Sequence, residues 1–584
     1  MIFRRLSRLI ISFMMSAMLA HPATAQVDGS STPNTDTFAD QVDLSAFGTI
    51  AVHSRGRVKS FDSFTSEMMQ FVCGTKRIDE QTPAFTYLDL MLRPERYIDR
   101  DVIFIRMKMI RTQIALALRT AGAAQNIPEF EDRMERFQNS GLISESLLRR
   151  DPVQMLLNRL RIDIIRTSSK VEAIKSALNV KNPRFLRGSL AVVPASAGGT
   201  EDAWLTLDAL SGSVSHNHDE NQQDQSLEEQ LVHQWLAFVS SWQQGDAPGV
   251  NAAGAQLASL LPLVNPDLYP AQSRLSWESW YFRVKNMTWV WIIYLFSIIP
   301  LLASMAYRWP AARWIGMGLF VIAFGLHTFA VMLRWYVAER WPNSNMFEAI
   351  TTAAWFGGCF AVIIELLVRH TPMRSLFALG SAVASMVALM ATRLWPLDLR
   401  ADISNMMPVL HDLWLYIHTN VIIFSYCLIF LASVTSGLYL VRRIWFALRG
   451  QNGSSDFVSV GGAGSLIATR SDGTNYLANT KTTFGQVLDG STMILMELSF
   501  ILLWTGLVMG AIWADHSWGR PWGWDPKEVF ALNTFIIFAL LIHVRIKVKD
   551  KGLWTALLAI VGCGVMLFNW VIINFAISGL HSYA

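Results

Sequence analysis

The sequence predicts an all-α, polytopic membrane bundle of about eight helices, preceded by an N-terminal, mostly helical extracytoplasmic domain. Three observations predict it. Hydrophobic side chains make up 52% of the 584 residues and charged ones only 16%, long apolar runs cluster in the second half, and basic residues divide unevenly between the loops joining those runs. Crossing a bilayer takes about 20 apolar residues. Runs of that size lie near 287–306, 314–335, 346–368, 375–394, 417–441, 492–513, 527–545 and 553–577.

The first 25 residues are a separate object. Arg4, Arg5 and Arg8 precede an apolar stretch at 9–19 that is short for a span, and Ala23-Thr24-Ala25 supplies a small-x-small site. Residues 1–25 therefore read as a cleaved secretory signal, with an uncleaved anchor as the other reading. Either way, residues 26–285 are expected outside the cytoplasmic membrane. Residues 26–45 are a polar leader, while 60–73, 101–120 and 145–180 carry apolar residues at helical spacing. Residues 211–225, "SGSVSHNHDENQQDQ", read as a polar linker in which His216 and His218 suit a solvated loop better than a metal site. A further helical pattern at 226–262 leads to the membrane domain, 286–584. The Gly/Ser-rich insert at 450–480 falls in a cytoplasmic loop.

Charge sets the orientation. With residue 285 outside, the loops expected inside hold 13 basic residues and those expected outside hold 5, as the positive-inside bias requires. The loop at 395–416, the loop at 513–528 and the C-terminal "GLHSYA" then share the outer face. The four cysteines, Cys73, Cys359, Cys427 and Cys563, form no CxxC or CxxCH, which argues against a thiol relay or covalent haem attachment to this chain. The net charge of +4 is spread over cytoplasmic loops and calls for no nucleic-acid partner.

The loop "WADHSWGRPWGWDPKE" concentrates Trp513, Trp518, Trp522 and Trp524 in sixteen positions. Indoles favour membrane interfaces because the ring is apolar and its N–H wants a wet partner. An interfacial belt accounts for them on spacing alone. The intervening Gly519, Pro521 and Gly523 impose a defined backbone path, which favours an arranged aromatic surface suited to a large planar ligand. Asp525, Pro526 and Glu528 read as a capping box that starts the next span.

A planar ligand carrying iron needs axial donors, and imidazole is a common one. Of the 12 histidines, His411, His418, His516 and His581 lie near spans on the outer face. His418, in "LWLYIHTNVIIFSY", and His581, in "SGLHSYA", share one membrane depth beside the tryptophans, which raises a ligand role above that of a packed side chain. His543 in "LLIHVRIKV" and His327 in "FGLHTFAVMLRWY" lie within spans, where ionisable groups usually line a cavity or relay. For His543 the inner headgroup zone is an equal reading. Tyr294, Glu348, Glu365 and Asn569 are explained by helix-pairing hydrogen bonds.

"WGRPWGWDPKE" resembles the tryptophan-rich WWD signature of haem-handling proteins of cytochrome c biogenesis. With "RWYVAERWPNSNMFEAI" at 334–350, "LWLYIHTNVIIFSY", "LLIHVR" and "GLHSYA", residues 287–584 resemble the CcsA/ResC family of the system II cytochrome c synthase. "TIAVHSRGRVKSFDSFTSE", 49–67, resembles the external region of some long members. The resemblance implies that His418 and His581 ligate the iron of haem b beside the tryptophans and Asp525, and that His543 belongs to the route delivering haem from the cytoplasmic side. His327 is in a familiar motif without a settled role. It further implies a separate ResB/CcsB-like membrane subunit, apocytochrome c as acceptor, external thiol reductant proteins, and a place in the bacterial cytoplasmic (inner) membrane. The implied reaction adds the two CxxCH thiols of the acceptor to the haem vinyl groups, with catalysis by positioning and no dedicated acid or base.

Besides a structural assembly factor with interfacial tryptophans that binds no cofactor, two other classes compete. One is a haem exporter or chaperone without ligation activity. The other is a b-type membrane cytochrome in electron transfer, which calls for buried histidine pairs about thirteen residues apart on two helices; the chain has no such set.

Overall fold

The computed structural model describes residues 37–74, 77–120, 129–163, 167–195, 204–214, 226–307, 309–371, 373–405, 412–450, 457 and 483–573. The expected signal peptide, His216, His218, His411, His581 and nearly all of the Gly/Ser-rich insert lie outside those residues.

Eight helices among the described residues are long and apolar enough to cross a membrane: Lys285–Met305, Pro310–Ala338, Met346–Val368, Leu376–Leu394, Leu413–Leu448, Phe484–Trp518, Pro526–Lys547 and Lys551–Ile573. They are called the first to eighth spans below. The chain is a multi-pass, all-α membrane protein. The fifth and sixth spans, at 36 and 35 residues, reach about 54 Å at 1.5 Å per residue, well beyond a ~30 Å hydrocarbon core. They pack against each other along their length. Thr435 and Thr492 share a hydrogen bond of 2.7 Å between them, and Arg545 pairs with Asp489 at 2.6 Å in the buried interior. Apolar surface gives little drive for helix pairing inside lipid, so such close polar contacts hold the bundle.

The N-terminal region that precedes the spans is helical, as expected, and adds two small sheets that the spacing did not predict. One has the strand order Arg57–Ser60, Ala51–Ser54, Ala191–Val193, Leu205–Thr206, and the other pairs Asp101–Phe104 with Leu142–Ser144. Segment 101–120 thus begins as a strand before the helix Lys108–Thr120, and 145–180 divides into three helices. The apolar core of this region gathers on Trp242, whose ring meets Phe38, Phe85 and Phe238. Its N–H donates to Asp89, which also accepts from Tyr97 and Arg93. A buried carboxylate with three donors is satisfied rather than costly.

The N-terminal region is fastened to one end of the bundle. Arg57 pairs with the buried Glu278 at 2.9 Å and donates to the carbonyls of Val337 and Ile403. Gln70 donates to the Pro396 carbonyl, and Arg106–Asp398 and Arg274–Glu339 form ion pairs across the same junction. The connections after the second and fourth spans are therefore clamped from outside the bundle.

Candidate functional site

A cavity opens at that same end, between the third, fifth, sixth, seventh and eighth spans. Counted with the open space at its mouth, it amounts to about 1170 Å³. His418, Ile422, Ile423 and Tyr426 of the fifth span form one wall, and Leu507, Gly510, Ala511, Trp513 and Ala514 of the sixth form another. Pro521, Trp522, Lys527 and Glu528 close it on the side of the tryptophan loop. A π-helical turn at Phe568–Ile573 ends the eighth span and puts Asn569 and Trp570 on the wall; such turns recur at functional sites. Asn569 donates to the Tyr426 hydroxyl at 3.0 Å, the helix-pairing bond expected of it.

His418 is fixed in orientation. Its Nδ1 lies 2.7 Å from the carbonyl oxygen of Gly506. A carbonyl only accepts, so Nδ1 carries the proton and donates. In the neutral ring Nε2 is then the lone-pair nitrogen, the state a metal-binding imidazole requires.

A buried ion cluster holds the wall formed by residues 343–346. Glu348, 0% exposed, receives Arg334 at 2.8 Å and Arg340 at 2.9 Å, and also the Ser344 amide at 2.8 Å. Arg334 reaches on to the carbonyls of Ala401 and Asp402. Asn345 caps the third span and donates to Asp402, while Trp341 and Asn343 hydrogen-bond to Asn420 and Thr419 of the fifth span. Glu348 therefore organises a loop, a larger role than the helix pairing read from sequence. That loop is tied both to the cavity and to the external clamp.

The tryptophan loop is shorter than its sequence suggests. The sixth span continues through Trp518 and stops at Gly519, whose φ of 68° is the left-handed cap that glycine adopts without strain. Trp513 and Trp518 thus stand on the last helical turns, edge to face with centroids 4.8 Å apart. Asp525 caps the seventh span in the expected capping box with Glu528, with Pro526 at its first position. Glu528 additionally accepts from the Gly523 amide. Trp513 is buried and, like Trp522, lines the cavity. Trp524 is 74% exposed and meets Trp522 edge-on. The four indoles form two edge-to-face pairs, not one stacked row.

The remaining predicted residues lie apart. His327, 2% exposed, borders a separate space of about 350 Å³ with Tyr281, Met287, Arg334 and Phe347. Its Nδ1 is 3.3 Å from the Tyr294 hydroxyl, and its Nε2 makes no hydrogen bond among the described residues. His543 is exposed on the outside of the bundle near the far end of the seventh span, with Nδ1 donating to the Ala539 carbonyl at 2.7 Å. His516 approaches Asp412 at 4.0 Å. Sequence reading missed Asn343, Asn345, Tyr426, Gly510, Lys527 and Trp570 as cavity residues. The visible hint was polar or small residues recurring on spans at one depth.

The bundle defines a class, a multi-pass membrane protein, and residues 343–581 match the family model described as cytochrome C assembly protein. The chain is 33% identical over 261 residues to the cytochrome c biogenesis protein CcsA of Porphyra purpurea, covering 43% of this chain and 81% of that relative. It is 32% identical over 263 residues to the CcsA of Prochlorococcus marinus strain NATL1A, covering 44% and 80%, and 30% identical over 258 residues to that of Parasynechococcus marenigrum strain WH8102, covering 44% and 82%. The chain belongs to the CcsA family, and its role is in cytochrome c biogenesis.

Proposed function

We propose that the cavity receives haem b as a substrate and presents it to an apocytochrome c for thioether attachment. The observation that carries this reading is the His418 imidazole, locked by its bond to Gly506 with Nε2 as lone-pair nitrogen, in a wall shared with Trp513 and Trp522. The donor set fits the ligand. One oriented imidazole supplies an axial position, indoles and aliphatic side chains supply an apolar enclosure, and His581, eight residues beyond the described end of the eighth span, is the proposed second axial donor.

The chemistry asked of the site is modest. Each CxxCH thiol adds across a vinyl double bond: sulfur bonds to the carbon next to the ring and the thiol hydrogen ends on the terminal carbon. Nothing leaves and no oxidant is consumed. The protein's work is to hold vinyl and thiol together, turning a bimolecular reaction into an effectively unimolecular one, and to keep water from the iron with Trp513, Trp522 and Tyr426. The acceptor's own histidine then replaces one of the two imidazoles.

A ResB-like membrane subunit is the proposed partner. His543, an exposed imidazole on a membrane helix, is costly facing lipid, and a neighbouring subunit covering it removes that cost. Thiol reductants outside the cytoplasm keep the acceptor cysteines reduced. The cavity end, with the external region, faces the periplasmic side of a bacterial inner membrane.

The test is the absorption spectrum of the purified full-length chain. A haem b signal present in the native protein and lost in His418→Ala/His581→Ala supports the reading; unchanged haem binding ends it. Co-expression with a reporter apocytochrome and a ResB-like chain separates synthase from chaperone, because a chaperone loads haem normally yet gives no covalent product.

A further inference from the structure

The imidazole that anchors this reading depends on a second residue that the sequence did not single out. In an α-helix the carbonyl of one residue points at the amide four positions later, so the side chain of that later residue stands beside the carbonyl oxygen. The oxygen that receives His418 belongs to Gly506, and the residue four positions later is Gly510. A Cβ built on Gly510 would lie 2.7 Å from Cε1, 2.8 Å from Nδ1 and 3.3 Å from Nε2 of His418. Any side chain there would occupy the space of the ring. One turn along the interface, Ile422 packs over Gly506 where its Cβ would be, so the helices meet in one register through "GLVMG", residues 506–510.

We propose that Gly510 is a positioning residue for the proposed haem site: its missing side chain lets His418 reach the Gly506 carbonyl, and that bond selects the tautomer and aims Nε2 into the cavity. The inference rests on the haem-presenting reading and deepens it. The small-residue pair is also a general means of close helix approach in membranes, but helix approach alone does not require the ring of a third residue to fill the notch. The hydrogen bond is a separate observation and points to His418 itself. A carbonyl acceptor on Nδ1 gives the imidazole more anionic character, strengthening Nε2 as a ligand and favouring the oxidised metal.

The experiment compares Gly510→Ala with Gly564→Ala, a glycine on the eighth span with open space where a Cβ would go, in the full-length chain purified with the haem it acquires in cells. Gly510→Ala should lower bound haem by about 10-fold or more, the usual cost of losing an outer-shell partner. The reduction potential of any remaining haem should rise. Gly564→Ala should leave both close to native. The double variant His418→Ala/Gly510→Ala should bind no less haem than His418→Ala alone, because the contact is already gone. If Gly510→Ala fails to accumulate, the double variant should restore the protein level, since the added methyl then has room; continued failure places the clash elsewhere and overturns the inference. Native haem content and potential in Gly510→Ala also overturn it. If His418→Ala itself keeps its haem, the haem-presenting reading falls as well, so the two failures are distinguishable.

Discussion

His418 and His327 are both imidazoles inside an apolar helical bundle, yet their surroundings differ in kind. His418 borders about 1170 Å³ of open space with its Nδ1 proton committed to a backbone carbonyl. His327 borders about 350 Å³, faces a tyrosine hydroxyl, and is almost wholly enclosed. On the haem-presenting reading, depth in the membrane does not by itself make a ligand site. That reading asks for room on one side of the ring and a fixed partner on the other, and of these two only His418 has both.

The contrast is broken or sharpened by substitution. The largest effect should come from His418→Ala, which removes nearly all bound haem, whereas His327→Ala leaves haem content within about two-fold of native, a difference under ~0.5 kcal/mol; both are read from the absorption spectrum. Comparable losses would erase the distinction. Next is Glu348→Ala, which leaves Arg334 buried without its carboxylate at a cost of about 3–5 kcal/mol. The expected result is a sharp fall in folded protein after detergent extraction, measured by size-exclusion chromatography. Trp522→Ala should lower haem retention several-fold, while the exposed Trp524→Ala should change it by less than about two-fold, compared by haem dissociation rate.

The smallest effect concerns an ion pair outside the hydrocarbon. Burial acts to raise the Asp550 carboxyl, but Arg443 and the Leu553 amide override it and hold the group below its usual range. Its contribution is present above the ordinary carboxylate value of 3.8 and is lost as pH falls through the lower folded value. Asp550→Asn should therefore cost less than about 1 kcal/mol at neutral pH, and the gap to native should close in strong acid. Thermal melts at the two pH values check it.

Much of the bundle was legible because a membrane span announces itself through apolar length, and all eight runs correspond to helices. Their ends were less so. Hydropathy drops at Arg442 and Arg443, but the fifth span continues to Leu448 because backbone hydrogen bonds do not stop where lipid does. The polar "ADHSW" looked like loop for the same reason, although the stop signal is Gly519. The small sheets escaped notice since strands of two to four residues are too short to show alternation. That His418, Trp513 and Trp522 would gather at one depth was legible from residue type and position. The Gly506 carbonyl, 88 residues from His418, was not, because backbone groups carry no sequence signature and only the packing of two helices brings them together.

The most direct measurement is a density map of the haem-loaded full-length protein. The haem-presenting reading predicts iron in the cavity between Trp513 and Tyr426, with Nε2 of His418 on one face and a ring nitrogen of His581 on the other. Iron bound at His327, or His581 lying too far from His418 to share one metal, would contradict it.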